Sequence, residues 1–167
     1  MRSNSGFTVI ELLVALAVAA ILLALAAPSF STMFASYRLT AGTNDLVNAA
    51  GLARSEAIKR NRSVTLCRTD AAGDDTCAAA EGTWDNWIIV APGPEVIRRG
   101  EPGLTGSNLR IESAFASESL SYAPDGSPGQ NAAFTVCTSL DVPDNRRIVD
   151  IGPGSRISTL RESGTCP

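Results

Sequence analysis

Residues Leu12 to Ala27 read LLVALAVAAILLALAA, sixteen in succession without a polar atom in any side chain. No fold leaves such a run in water; it is either enclosed on every face or set in lipid. Phe7, Val9 and Ile10 carry the apolar stretch backwards past Thr8 and Glu11, so that it counts 21 residues from Phe7. At about 1.5 Å per residue a helix of that length spans roughly 30 Å, the hydrocarbon core of a bilayer. The pooling also accounts for the whole-chain mean hydropathy of +0.09, high for 167 residues of which 44% are hydrophobic. The surplus belongs to one segment, not to an oversized core.

Two other fates compete for this segment. Ala24-Leu25-Ala26 resembles the small-x-small cleavage site of a secretory signal peptide. Against that reading, Arg2 is the one basic side chain ahead of the run and Glu11 lies beside it. A buried core helix rarely stays apolar on every face for sixteen residues. Glu11 weighs most, because an ionisable group within a membrane helix costs about 2.5 to 3.5 kcal/mol and needs a partner or a task. Cleavage between Gly6 and Phe7 would supply the partner. The new Phe7 amine lies four residues before Glu11, on the same helical face or within reach from a neighbouring subunit.

Gly6-Phe7-Thr8-Val9-Ile10-Glu11-Leu12-Leu13 resembles the class III signal of type IV prepilins and pseudopilins. The resemblance implies that a prepilin peptidase cleaves after Gly6 and methylates the amine of Phe7, and that Glu11 sets assembly register. Pro28 matches the helix-kinking proline these proteins often carry. Ala53 to Cys67 looks like the end of the long helix and first strand of FimT/GspH-type minor pilins and pseudopilins. Trp84-Asp85-Asn86-Trp87-Ile88-Ile89-Val90 is similar to the strand that follows there, with Asn86 where glycine is commoner. Ser121 to Gly126 and Phe134 to Cys137 fit the later strands, and Pro92 to Ser107 matches least.

The expected fold class is α+β, a long N-terminal helix packed on an antiparallel sheet or small sandwich. Four segments follow: a leader over 1–6, a membrane or filament-core half-helix over 7–27, an amphipathic half-helix over 28–61 and a β-rich globular domain over 62–167. Phe30, Phe34, Tyr37, Ala41, Leu46, Ala50, Ala53 and Ala57 recur at intervals of three to five, predicting one stripe that continues the helix through a kink at Pro28. The part after Ala41 is expected to dock on the globular domain, and Phe30, Phe34 and Tyr37 to pack between subunits. Strands are predicted at Val64–Cys67, Trp87–Val90, Val96–Arg98, Leu109–Ala114, Ser119–Tyr122, Ala133–Cys137, Arg147–Ile151 and Arg156–Leu160, with Gly and Pro clusters between them.

Cys67, Cys77, Cys137 and Cys166 contain no CxxC pair, which argues against zinc knuckles and thioredoxin-like chemistry. Three disulfide pairings are open; proximity in sequence favours Cys67 with Cys77 and Cys137 with Cys166. Each closed loop would contribute roughly 3 kcal/mol in the chain-entropy model. Disulfides imply an oxidising compartment, in keeping with an inner-membrane anchor and a periplasmic domain.

The chain has no histidine, which removes Ser-His-Asp and Cys-His nucleophile activation and histidine-ligated zinc. Asp70, Asp74, Asp75 and Asp85 lack the spacing of an EF-hand and read as a solvated acidic loop. Gly152-Pro153-Gly154 reads as a turn. No enzyme, cofactor or metal site is expected.

Some FimT-type pilins bind DNA through a basic GRxR-like motif near the carboxy terminus. The matching region here is Gly154-Ser155-Arg156-Ile157-Ser158, with a serine where the second arginine would stand. Arg146, Arg147 and Arg161 are the cations that would compensate, yet residues 144 to 162 hold four basic and three acidic side chains. Net charge is -3 and the pI is near 4.9, both contrary to a dedicated nucleic-acid binder. Solvent-facing edge-strand arginines are the favoured reading.

The function expected is that of a minor pilin or pseudopilin, held in the inner membrane and incorporated into a filament with other major and minor pilins. A type IV pilus, at its initiating or tip complex, is preferred over a type II secretion pseudopilus of the GspH type. DNA binding for natural transformation is a further alternative.

Overall fold

The computed structural model describes residues 7–93, 95–100, 108–115 and 118–166, with side chains for all of these except 26–29. The leader call over 1–6, with Gly6, therefore lies outside the described residues. Helix α1 runs from Val9 to Arg60. The strands β1 (Val64–Arg68), β2 (Trp87–Ala91), β3 (Glu95–Gly100), β4 (Leu109–Ser113), β5 (Ser119–Tyr122), β6 (Ala132–Thr138), β7 (Arg146–Ile151) and β8 (Ile157–Glu162) follow. All pair antiparallel, in two four-stranded sheets of order β3-β2-β1-β5 and β4-β6-β7-β8. The alternative of one sheet or a small sandwich is thus decided in favour of two sheets.

The chain divides into two compact units, Met1–Phe34 and Ala35–Pro167. In the second unit one face of α1 is buried through Ala35, Leu39, Leu46, Ala49, Ala50, Ala53 and Ala57. From Leu39 onward these residues share a cluster with Val64, Leu66, Trp87, Ile89 and Leu120 of the first sheet and Ile111, Phe134, Val136 and Val149 of the second. Gly42 permits the close approach, since a Cβ there would stand 3.0 Å from Leu109 Cδ2.

From Leu46 onward the buried stripe is the one expected to dock; before it, Tyr37, expected to pack between subunits, and Ala41 lie off that face. Tyr37 is 71% exposed and Ala41 is exposed, whereas Ala35 and Leu39 are buried. Nine residues are two and a half helical turns, which puts Tyr37 opposite Leu46; intervals of five drift off a 3.6-residue period. The helix assignment continues through Pro28 without a break.

The helix ends on Asn61 in the left-handed region (φ 49°), with Arg62 N–H bonded to Ala57 O and Asn61 N–H to Ile58 O, both at 3.2 Å. This is the Schellman pattern, which satisfies the last carbonyls. Arg60 ties that end to β3, donating to Glu56 at 2.6 Å and Glu95 at 2.8 Å. Donation by Arg60, then by Lys59, holds the Glu56 carboxyl below its ordinary range.

Between the sheets Trp84, Phe115 and Phe134 meet edge to face, with centroids 4.8 to 6.1 Å apart. Glu118, 6% exposed, accepts from Trp84 Nε1 at 2.7 Å and Ser113 Oγ at 2.9 Å and faces the buried Arg68 at 4.0 Å. The indole N–H is satisfied and the two buried charges face each other, although Arg68 Nε makes no hydrogen bond among the described residues.

Tyr122 is different. Its buried hydroxyl has no hydrogen-bond partner among the described residues. Burial pushes it from its ordinary 10.0 up to about 12, with Arg54 opposing weakly. A raised folded value stabilises the fold at pH below the ordinary value and is lost as pH climbs through the folded one. Thermal unfolding should show Tm falling between pH 10 and 12 in the native chain, and falling less in Tyr122→Phe. At pH 7 the variant should match the native chain to within about 1 kcal/mol. Equal alkaline decline in both proteins would assign the loss to another group.

Candidate assembly site and arginine surface

The first unit presents its apolar surface outward. Every described side chain from Phe7 to Leu25 is exposed, as are Phe30, Met33 and Phe34. None of the most apolar stretch of α1 is buried. By length and composition this helix can cross a membrane.

Thr8 and Glu11 build the start of the helix. Thr8 N–H and Oγ1 both donate to Glu11 Oε2 at 3.1 Å, and Glu11 N–H donates to Thr8 Oγ1 at 3.3 Å. Leu12 N–H bonded to Thr8 O at 3.2 Å makes Thr8 the N-cap. This reciprocal arrangement is a capping box, which satisfies two orphan amides where water is scarce. Its signal in the sequence is Thr-x-x-Glu directly before an apolar run. Phe7, 88% exposed, stays outside the helix.

The cysteines form Cys67–Cys77 and Cys137–Cys166, with Cα separations of 5.5 and 5.6 Å. The first closes the acidic loop, whose carboxylates are engaged one by one. Asp70 pairs with Arg68 at 3.0 Å, Asp74 accepts from Ala71 N–H at 2.9 Å, Asp75 pairs with Arg99, and Asp85 accepts from Thr83 at 2.8 Å. The second ties the carboxy-terminal residues over β6.

The four arginines near the carboxy terminus do not converge. Alternation puts Arg146 on one face of β7 and Arg147 on the other. Arg146 pairs with Glu162 at 3.3 Å and lies beneath Gly164, where a Cβ would stand 2.8 Å from it. Arg147 is 4% exposed on the core side, donating to the carbonyls of Asp144 and Arg146. Arg161 is its cross-strand neighbour in register and is exposed. Arg156 is exposed at the turn before β8. Burial, then the like charge of Arg161, lowers the Arg147 pKa, with Asp144 opposing.

Thr8→Val should remove one leg of the capping box at a cost of roughly 1 kcal/mol. In detergent micelles the Glu11 amide should then exchange about fivefold faster, the equivalent of that energy, with exchange beyond Val18 unchanged. Unchanged exchange at Glu11 would show that the box contributes nothing.

Residues 42–154 match the family described as type II transport protein GspH, and residues 1–27 match the prokaryotic N-terminal methylation motif. Two crystal forms of the type IV minor pilin FimU of Pseudomonas aeruginosa share the fold, with TM-scores of 0.58 and 0.53 at 20% identity. They cover 75% and 72% of this chain, and 90% of the FimU chain in each case. No curated protein matches the chain in sequence.

Proposed function

The chain belongs to the GspH family of type II transport proteins, and on that premise we propose that it is a minor subunit of a type IV pilus, acting at the initiating or tip complex. That it is a minor pilin or pseudopilin follows from the family together with the methylation motif. Such proteins are structural subunits that assemble with other pilins. The observation that carries the assembly role is the exposed apolar surface of α1 in the first unit, interrupted by one carboxylate at Glu11.

Prepilin peptidase cuts after Gly6 and methylates Phe7, and Leu12 to Ala27 hold the chain in the inner membrane. Incorporation exchanges lipid contacts for helix contacts. Close packing drives that exchange, since lipid tails are as apolar as leucine. Phe30, Phe34 and Tyr37, all exposed, pack between subunits. Both capping bonds use Oε2 of Glu11, so Oε1 remains to accept from a Phe7 amine and set register. The two disulfides support a periplasmic position for the second unit. The likeness to FimU favours a pilus; the family description favours the second reading, a type II secretion pseudopilus.

Amino-terminal sequencing of the mature protein should begin at N-methylated Phe7; a start at Ala27 would indicate an ordinary signal peptidase and end this reading. Glu11→Ala should be cleaved nearly as well as the native chain yet enter sheared filaments several-fold less. Normal incorporation would remove the register mechanism. Deletion of the chain should lower surface piliation and leave protein secretion intact; the reverse result supports the secretion pseudopilus.

A further inference from the structure

Three of the four sheet edges are occupied or guarded. Gly129 N–H and Gln130 Nε2 cover β5, donating to Ser121 O and Ser119 O at 2.8 and 3.0 Å. Trp84 N–H reaches Ile111 O of β4 at 2.9 Å. On β3, Glu95 and Arg99 are both tied into ion pairs. The fourth edge is β8, where no backbone bond reaches the open side among the described residues.

The Gly152 N–H to Arg156 O bond at 2.9 Å sets the phase of β8. In an antiparallel ladder alternate residues pair, so Ser158, Leu160 and Glu162 bond to β7. The N–H and C=O groups of Ile157, Thr159 and Arg161 are left facing outward.

The side chains beside this edge have a definite chemistry. On the core-side face Arg161 stands opposite Arg147, whose charge has no carboxylate within salt-bridge distance among the described residues. Two like charges in register are unfavourable until an anion joins them. On the other face Leu160 is 61% exposed beside Ile148. A natural complement therefore alternates carboxylates with apolar side chains at the period of a strand.

We propose that β8 receives an extended acidic-apolar segment of a neighbouring filament subunit as a fifth strand, its carboxylates meeting Arg161, where they offset the like charge of Arg147 behind it, and its apolar side chains meeting Leu160. Naming the partner a filament subunit rests on the function proposed above; the strand site does not. Backbone bonds provide the hold and alternate side chains the selection. A second copy fits poorly, because β8 against β8 brings together two sets of Arg156 and Arg161. Nucleic acid fits poorly as well: Arg146 is paired on the opposite face and Arg147 is buried, which leaves two accessible cations for phosphates.

The test uses the full chain in detergent micelles and a synthetic Thr-Glu-Val-Glu-Val-Glu-Thr peptide at about 1 mM, a concentration suited to weak strand addition. Amide exchange at Ile157, Thr159 and Arg161 should slow about tenfold with this peptide, while a lysine-for-glutamate peptide has no effect. Arg161→Glu, at an exposed position, should reverse that preference, with Val136 and Val149 protection reporting an intact fold. Absence of protection, or equal protection by both peptides, overturns the proposal. Protection by oligothymidylate alone makes the edge a nucleic-acid surface, and protection that grows with protein concentration alone makes it a self-association edge. These readouts are independent of filament assembly, so failure of the pilus reading is told apart by the piliation and secretion phenotypes of the deletion.

Discussion

Ala49, Ala50, Ala53 and Ala57 present almost no side chain to the core they line, and the second unit is arranged around the close approach this permits. Larger residues on that helix face would hold it off the sheets and open the space that Leu66, Ile89, Val136 and Val149 now fill. Close-packed interiors tolerate little such change. The two sheets have separate hydrogen-bond ladders, and the shared cluster with α1 joins them. The Schellman end at Asn61 and the Arg60 to Glu95 pair then fix where the helix stops and the first strand begins.

The same helix follows an opposite logic in the first unit. There leucine, valine and isoleucine alternate with alanine, and the described side chains are exposed on every face. Water cannot be the solvent for such a surface; lipid or other helices must be. The capping box at Thr8 and Glu11 suits this setting, because an unpaired amide is costly where no water can reach it. One carboxylate thereby completes the helix end through a single oxygen, Oε2.

Charge elsewhere serves local structure. The acidic loop between β1 and β2 is closed by a disulfide and its carboxylates are matched to arginines, an amide and a hydroxyl. Alternation along β7 sends Arg146 to Glu162 and Arg147 toward the core, which disperses what looks like a basic cluster in the sequence.

Much of this was legible in the residues. The apolar run, Glu11 and the glycine before Phe7 pointed to a membrane-capable assembly helix, and each of the eight apolar stretches forms a strand within a residue or two of its predicted ends. Short apolar runs bounded by glycine and proline are robust strand signals because the turn residues cannot continue the ladder and the run between them meets the core. Along α1 the docking residues from Leu46 onward were legible, but a single stripe was not: Tyr37 and Ala41 lie off that face, because intervals of five drift off a 3.6-residue period. The capping box was legible too, as Thr8 three residues before Glu11. What the sequence by itself determined is where apolar surface lies and how strands alternate, since both are set by local composition and period. Which strands share a sheet, which face each arginine takes and which edge stays open were decided only by tertiary structure, because they depend on pairing between residues far apart along the chain.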